Sequence, residues 1–517
     1  MGVDRRQGGP AGPCRLCRST TSQGGRHVRI GGDRHKLGKT EFKKQEPKLR
    51  QRLLDLQGRL AQQAKFPVLI LVNGVDGAGK GETVNLFNEW MDPRNIHTYA
   101  FGPRTDVERD RAEMWRFWQA LPPKGRIGIH FGSWYTDPIM DRVLGHDRRA
   151  EFERRLSRIR HFERMLVSEG TLLIKLWFHL SKTAQRKRLK ELAARKETSW
   201  RVTPQDWKRF KRYDKFMDIC EDTIRATSEG EAPWYVIEGS DHEYRSLTAG
   251  RLLEDALKAR LGGTKPVISP PAPPPPPPLD GKTLLGAYDY KRTLSREDYS
   301  KKLARLQREL NLLTRSKKMN DRSLVTVFEG MDAAGKGSTI RRITHALDAR
   351  FYRVIPVAAP TEEERAQPYL WRFWRQIPGH GRAVIFDRSW YGRVLVERVE
   401  KFCSELDWMR AFGEINAFEE QLAESGAIVT KFWLSITPGE QLKRFKARQD
   451  TPHKRFKITA EDWRNRKKWP QYERAVEDML ERTSTEPAPW DVVASDDKVF
   501  SRIETLEKLV GRIEAAL

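Results

Sequence analysis

Residues 330–339 read Gly-Met-Asp-Ala-Ala-Gly-Lys-Gly-Ser-Thr. The glycines let a backbone curl until its N–H groups converge, so Gly330, Ala333, Ala334, Gly335 and Gly337 are candidates to cradle phosphate oxygens. Lys336 adds a mobile positive charge. Gly337 separates that lysine from the hydroxyl residues, a departure from the strict Gly-x-x-x-x-Gly-Lys-Ser/Thr pattern, so either Ser338 or Thr339 is placed to face a phosphate or a Mg²⁺ ion. Asp332 is a carboxylate among anion-binding amides. That is repulsive unless a cation or a proton intervenes, which argues for a metal contact or a role in activating an acceptor. Read blandly, the segment is a glycine-rich turn closing a strand–helix unit; the lysine and a second copy of the loop weigh against this.

Downstream, the apolar run Ala383 to Phe386 ends in Asp387-Arg388-Ser389-Trp390-Tyr391. A carboxylate at the carboxyl end of a core strand, beside such a loop, is where Mg²⁺, or Mn²⁺ in its place, is held against transferring phosphates. Asp387 is therefore a metal candidate, and Arg388 offers planar charge-assisted bonds to a phosphate. The competing reading is a buried ion pair capping the strand. A third cluster spans Arg444 to Lys468, a mainly helical stretch dense in Lys and Arg that could fold over the loop as a lid, neutralising charge and excluding water. Arg448, Lys454, Arg455 and Lys468 are its phosphate-facing candidates, joined by Arg393 from the turn after Asp387. Trp371, Phe373 and Trp374 read as core rather than as a base-stacking platform.

These groups need a scaffold. Leu324 to Phe328, Arg353 to Val357, Ala383 to Phe386, Ile428 to Leu434 and Trp490 to Val493 read as strands separated by helical patterns, which predicts a parallel sheet covered on both faces. The pattern occurs twice: adding 256 carries Gly74 to Gly330, Lys80 to Lys336, Trp134 to Trp390, Lys175 to Lys431 and Trp234 to Trp490 without a gap. The expected architecture is α/β, two tandem three-layer αβα domains of the P-loop kinase kind with parallel sheets and helical lids. The boundaries are a disordered basic tail over 1–40, a first domain over 41–262, a Pro-rich linker over 263–282 and a second domain over 283–517. Cys14 and Cys17 lack a second pair at zinc spacing.

The chain has 517 residues, and 96 Lys and Arg against 70 Asp and Glu give a net charge of +26, a field that attracts a polyanion. Four scattered cysteines point to a reducing compartment, by default the cytoplasm. No apolar run approaches the roughly 20 residues that cross a bilayer, so no membrane partner is expected.

Gly330-Met-Asp-Ala-Ala-Gly-Lys-Gly, Pro368-Tyr-Leu-Trp-Arg-Phe-Trp and Phe386-Asp-Arg-Ser-Trp-Tyr-Gly-Arg, in this order, resemble the type 2 polyphosphate kinases. The tandem arrangement is similar to the two-domain subgroup that phosphorylates AMP to ADP, the polyphosphate:AMP phosphotransferases. The resemblance implies Mg²⁺ dependence and a basic channel for inorganic polyphosphate. It also implies catalytic, metal-associated roles for Asp332 and Asp387, with Lys336 as loop lysine, Arg388 on phosphate and Arg448 as lid arginine. AMP as acceptor, rather than another adenine or guanine nucleotide, comes from this resemblance alone. A homo-oligomer is compatible with it.

The first half keeps Gly74-Val-Asp76-Gly-Ala-Gly79-Lys80-Gly81, yet Ser338 is replaced by Glu82, whose negative charge is expected to face the phosphates. Asp387 and Arg388 become Phe131 and Gly132, and Arg448 becomes Leu192. Without its metal carboxylate this half is expected to be silent. Rival readings are a polyphosphate-dependent nucleoside diphosphate kinase, the reverse synthesis of polyphosphate, an ATP-dependent nucleotide kinase and, in another class, a polyanion- or nucleic-acid-binding protein with a vestigial loop. Nucleic acid is the less expected partner.

Overall fold

The computed structural model describes residues 35–230, 232–264 and 283–517, with Lys454 and Lys457 described by backbone only. Each half builds one five-stranded, wholly parallel sheet. In the first, β1 (Val68–Gly74), β2 (Ile96–Ala100), β3 (Ile127–Phe131), β4 (Leu172–His179) and β5 (Trp234–Glu238) run in the order β2-β3-β1-β4-β5. In the second, β6 (Ser323–Gly330), β7 (Tyr352–Pro356), β8 (Ala383–Asp387), β9 (Ala427–Ser435) and β10 (Trp490–Ala494) run in the same order, β7-β8-β6-β9-β10. The central strands are apolar because helices cover both faces, and Leu324 to Phe328 contain no exposed residue. β7 departs from that rule: it is an edge strand, and Arg353, Val354 and Pro356 are exposed.

The topology places the chemistry. β6 is central, its neighbour β8 pairs Asp387 with Phe328, and the glycine loop follows β6 two residues later. The carboxyl ends of adjacent strands therefore carry Asp387 and the loop side by side.

The 256-residue offset survives in side-chain detail. Lys431 Nζ, wholly buried, donates to Glu419 Oε2 at 2.7 Å, Tyr391 Oη at 2.8 Å and the Thr483 carbonyl at 2.7 Å. Lys175 repeats this with Glu163, Tyr135 and Thr227 at 2.7, 3.3 and 2.7 Å. Trp390 and Trp134 donate their indole N–H groups to the same two glutamates. A buried charge survives only when fully paired, so these shared tryptophans and lysines are framework rather than chemistry.

The two domains meet across a pseudo-two-fold seam. Trp118 stacks on Trp374, its own duplicate, at 5.6 Å between rings. Gln367 donates to the Leu121 carbonyl at 3.1 Å, and its duplicate Arg111 donates to the Ile377 carbonyl, duplicate of Leu121, at 3.2 Å. Contact of a patch with its own copy is the signature of an isologous interface, here built within one chain. Trp371, Phe373 and Trp374 are all buried, as expected of core.

One boundary is corrected. The tail expected to be disordered as far as residue 40 is ordered from His35, whose backbone N–H and ring both bond Glu238, and a helix begins at Lys39. Residues 1–34, with Cys14 and Cys17, and the proline run 270–278 lie outside the described residues. Among the described residues no helix is long and apolar enough to cross a membrane.

Candidate active site at the second glycine loop

The loop closes tightly. A Cβ on Gly330 would lie 2.5 Å from the Leu434 carbonyl of β9, and its φ of 151° is open only to glycine. Lys336 opens the helix Lys336–Thr344 and donates to the Gly330 carbonyl at 2.6 Å. Burial pushes its ammonium pKa down and Arg388 adds to that, while Asp332, Asp387 and Glu329 oppose it. Thr339 is 1% exposed and Ser338 is partly open, so Ser338 presents the hydroxyl at the mouth of the loop. Ser338 Oγ lies 3.7 Å from where a Cβ of Gly335 would stand.

Asp387 Oδ2 lies 3.9 Å from the Cβ position of Gly337, directly beside the loop. Its carboxylate makes no hydrogen bond or ion pair among the described residues. Asp332 is in a different state: Oδ1 accepts from Arg388 Nη2 at 3.0 Å and Oδ2 from Asn465 Nδ2 at 3.0 Å. The cation that relieves its repulsion here is the Arg388 guanidinium, joined by an amide. Burial works against the Arg388 charge, yet Asp332, then Glu329 and Asp387, leave its pKa raised. Arg388 sits at φ 66°, a left-handed conformation that costs a non-glycine residue about 1–2 kcal/mol.

Three contributors were missed, and a fourth, Arg444, was read only as part of the basic lid cluster. Glu329, buried behind the loop, accepts from Ser389 Oγ at 2.8 Å, and burial pushes its carboxyl pKa up against Lys336. Asn465, on the helix Ala460–Lys467, ties the lid to Asp332. Gln441 Nε2 bonds the Asp332 carbonyl at 3.1 Å, and Arg444 braces the loop through the Ala333 and Ala334 carbonyls at 2.9 and 3.1 Å. The duplication held a signal for Glu329: its counterpart is Asn73, a loss of the same kind as Asp387 to Phe131.

The other candidates divide. Arg448 is half-buried, and burial lowers its pKa while Asp462 and Asp332 oppose that. Arg455 is exposed, with Nε on the Gln449 carbonyl at 2.8 Å. The side chain of Lys454 lies outside the described residues. Two expectations are corrected. Lys468 bonds the buried Glu400 at 2.8 Å, a carboxylate it shares with Arg464, because a buried acid requires paired cations. Arg393 is drawn to the domain seam, ion-paired with Glu397 at 2.8 Å and lying over the Tyr369 ring at 4.2 Å.

In the first half the loop persists, with Lys80 on the Gly74 carbonyl at 2.6 Å and Gln185 on the Asp76 carbonyl at 3.1 Å, but Asn73, Phe131 and Gly132 stand where Glu329, Asp387 and Arg388 do. Gly132 keeps φ 76° where Arg388 has 66°. Glu82 does not confront an open loop as expected: Arg188 and Arg245 hold it at 3.0 and 2.5 Å, and Arg245 lies 2.1 Å from the Cβ position of Gly79. Arg209, the counterpart of Asn465, approaches Asp76 at 3.6 Å.

The family model for polyphosphate kinase 2 matches residues 36–264 and again 293–517. The chain belongs to the polyphosphate kinase 2 family. It is 53% identical over 483 residues to a protein of Pseudomonas aeruginosa named polyphosphate:AMP phosphotransferase, covering 93% of this chain and 97% of the relative. It is 37% identical to one of the same name from Acinetobacter johnsonii, over 87% of this chain and 91% of the relative. A crystal structure of a family member from Pseudomonas aeruginosa PA01 superposes with a TM-score of 0.86 at 51% identity, covering 94% of this chain and 98% of that one.

Proposed function

We propose that this family member transfers a phosphoryl group from inorganic polyphosphate to AMP, giving ADP, and that its second domain performs the chemistry. The observation that carries the assignment of domain is Asp387: an unpaired carboxylate beside a glycine loop, with Phe131 in its place in the other half. AMP as acceptor rests on the relatives named polyphosphate:AMP phosphotransferase, which match nearly the whole chain.

Kinases of this kind depend on a metal. Asp387, with the Ser338 hydroxyl, suits a hard cation held by one or two carboxylates plus substrate phosphates, and we assign Mg²⁺. When bound, it would supply charge neutralisation at the transferring phosphoryl group. The loop amides and Lys336 bind the donor phosphate. Arg388 leaves Asp332 for the phosphoryl oxygens, which are the stronger bidentate acceptors once substrate arrives. Asp332, released from Arg388, then faces the acceptor phosphate or a second cation. Arg448 closes from the lid, excluding water that would hydrolyse the donor. We place the enzyme in the cytoplasm on its scattered cysteines, of which Cys220 and Cys403 are free thiols.

The test is purified protein with Mg²⁺, polyphosphate and AMP, assayed for ADP beside Asp387→Ala. ADP formation that survives the substitution refutes the assignment, and faster turnover of ADP or GDP than of AMP replaces the acceptor.

A further inference from the structure

At one end of the seam the first domain inserts a carboxylate into the supporting shell of the second domain's site. Glu169 follows the helix Arg149–Ser168, and its side chain is only 13% exposed. It pairs with Arg410 and stands 3.9 Å from Arg393. Arg410 also binds Asp407, and it donates to Glu414 Oε1 at 2.9 Å. Arg393 ends the turn Trp390–Arg393, which starts three residues after Asp387, and it is ion-paired besides with Glu397 and lies over the face of Tyr369. One continuous ionic network thus runs from the first domain to the turn that directly follows Asp387 and Arg388. Glu169 is also the leading charge that holds the Arg393 pKa up against burial.

The pseudo-symmetry shows that this is not generic seam packing. The counterparts of Glu169, Arg393, Glu414 and Tyr369 are Ser425, Asp137, Arg158 and Glu113, so among the described residues no equivalent network reaches back into the first domain. At that opposite end the seam holds a simpler ion pair, Arg158 with Glu424. The symmetry is broken where the silent half touches the working one.

We propose that Glu169 is a positioning residue for phosphoryl transfer, supplied by the first domain, which fixes Arg393 and through it the turn that follows Asp387 and Arg388 and anchors them from behind. This rests on the reading that catalysis belongs to the second domain. A group that must sit within a fraction of an ångström of its productive place needs a rigid support, and loss of such support lowers turnover before it lowers binding.

The experiment uses the full-length chain and compares Glu169→Gln, Glu169→Asp, Glu424→Gln, Arg393→Met and the double variant Arg393→Met with Glu169→Gln. Each is assayed for kcat, for KM of AMP and of polyphosphate, and for Tm, with wild type and Asp387→Ala alongside. Glu169→Gln is expected to lower kcat about tenfold with both KM values within about twofold. Glu169→Asp should recover most of the loss. Glu424→Gln, which removes the more exposed ion pair at the opposite end of the seam, should leave kcat unchanged. In the Arg393→Met background Glu169→Gln should cost nothing further, since coupled residues are non-additive. Equal losses from Glu169→Gln and Glu424→Gln, an additive double variant, or an unchanged kcat in Glu169→Gln would overturn the proposal while leaving the function intact. A wild type that makes no ADP, or an Asp387→Ala that still makes it, removes the function and this proposal together.

Discussion

The two halves share a fold to the level of single hydrogen bonds and differ at the carboxyl ends of two strands. Where the second half has Glu329, Asp387 and Arg388, the first has Asn73, Phe131 and Gly132. The difference teaches that framework and chemistry are separable: Lys175 and Lys431 keep identical partners although only one domain retains the metal carboxylate. The loops diverge in the same direction. Ala333 and Arg388 hold left-handed backbone at φ 66°, where the first half has Gly77 and Gly132 at 83° and 76°. The second half tolerates strain that the first has relaxed.

The comparison breaks first at Asp387. Asp387→Ala should lower kcat for ADP formation by about 10³-fold in a coupled assay, with Tm nearly unchanged because the carboxylate has no partner to lose. Arg388→Gly, which installs the first half's residue, should lower kcat about 10²-fold while Tm holds or rises, relief of left-handed strain of about 1–2 kcal/mol being offset by glycine's greater unfolded freedom. A fall in Tm would show that Arg388 is framework.

In the first half, Glu82→Ala removes the partner of Arg245, whose side chain is 4% exposed, and should destabilise the protein by about 2 kcal/mol in urea titration without changing kcat. Asn465→Arg copies the first half's Arg209 and should hold the lid on Asp332, slowing turnover about tenfold by steady-state kinetics.

The smallest effect is a pH dependence at the seam. Burial, with Glu169 adding to it and Arg410 and Arg393 opposing, pushes the Glu414 carboxyl up to about 7. Its folded pKa lies above its unfolded one, so the native state binds the extra proton between them. The stability it contributes is full below the ordinary carboxylate range and is lost as pH rises through about 7. Glu414→Gln should therefore flatten the decline in Tm between about pH 5 and 8 that calorimetry finds in the wild type.

Much of this was legible in the chain. The strands appeared as apolar runs because burial on both faces demands them, and the glycine loop as a spacing because only glycine fits against Leu434. The divergence of the first half appeared as substitutions at a fixed offset. Arg393 and Lys468 misled, because a cation beside a phosphate site and a cation buried against a glutamate look alike in sequence. Asn465 and Gln441 gave no signal, since an amide's role depends on what lies across from it, more than 100 residues away in the chain.

The sequence by itself determined the duplication, the parallel α/β layers and the position of the glycine loop, because periodicity and spacing are local and repeat. Only the tertiary structure decided which charges are free and which are paired. Asp387 stands open, Asp332 is held by Arg388 and Asn465, and Glu169 crosses from one domain to the other. Ionic partnership is fixed by distance and burial, and neither is written along a single strand or helix.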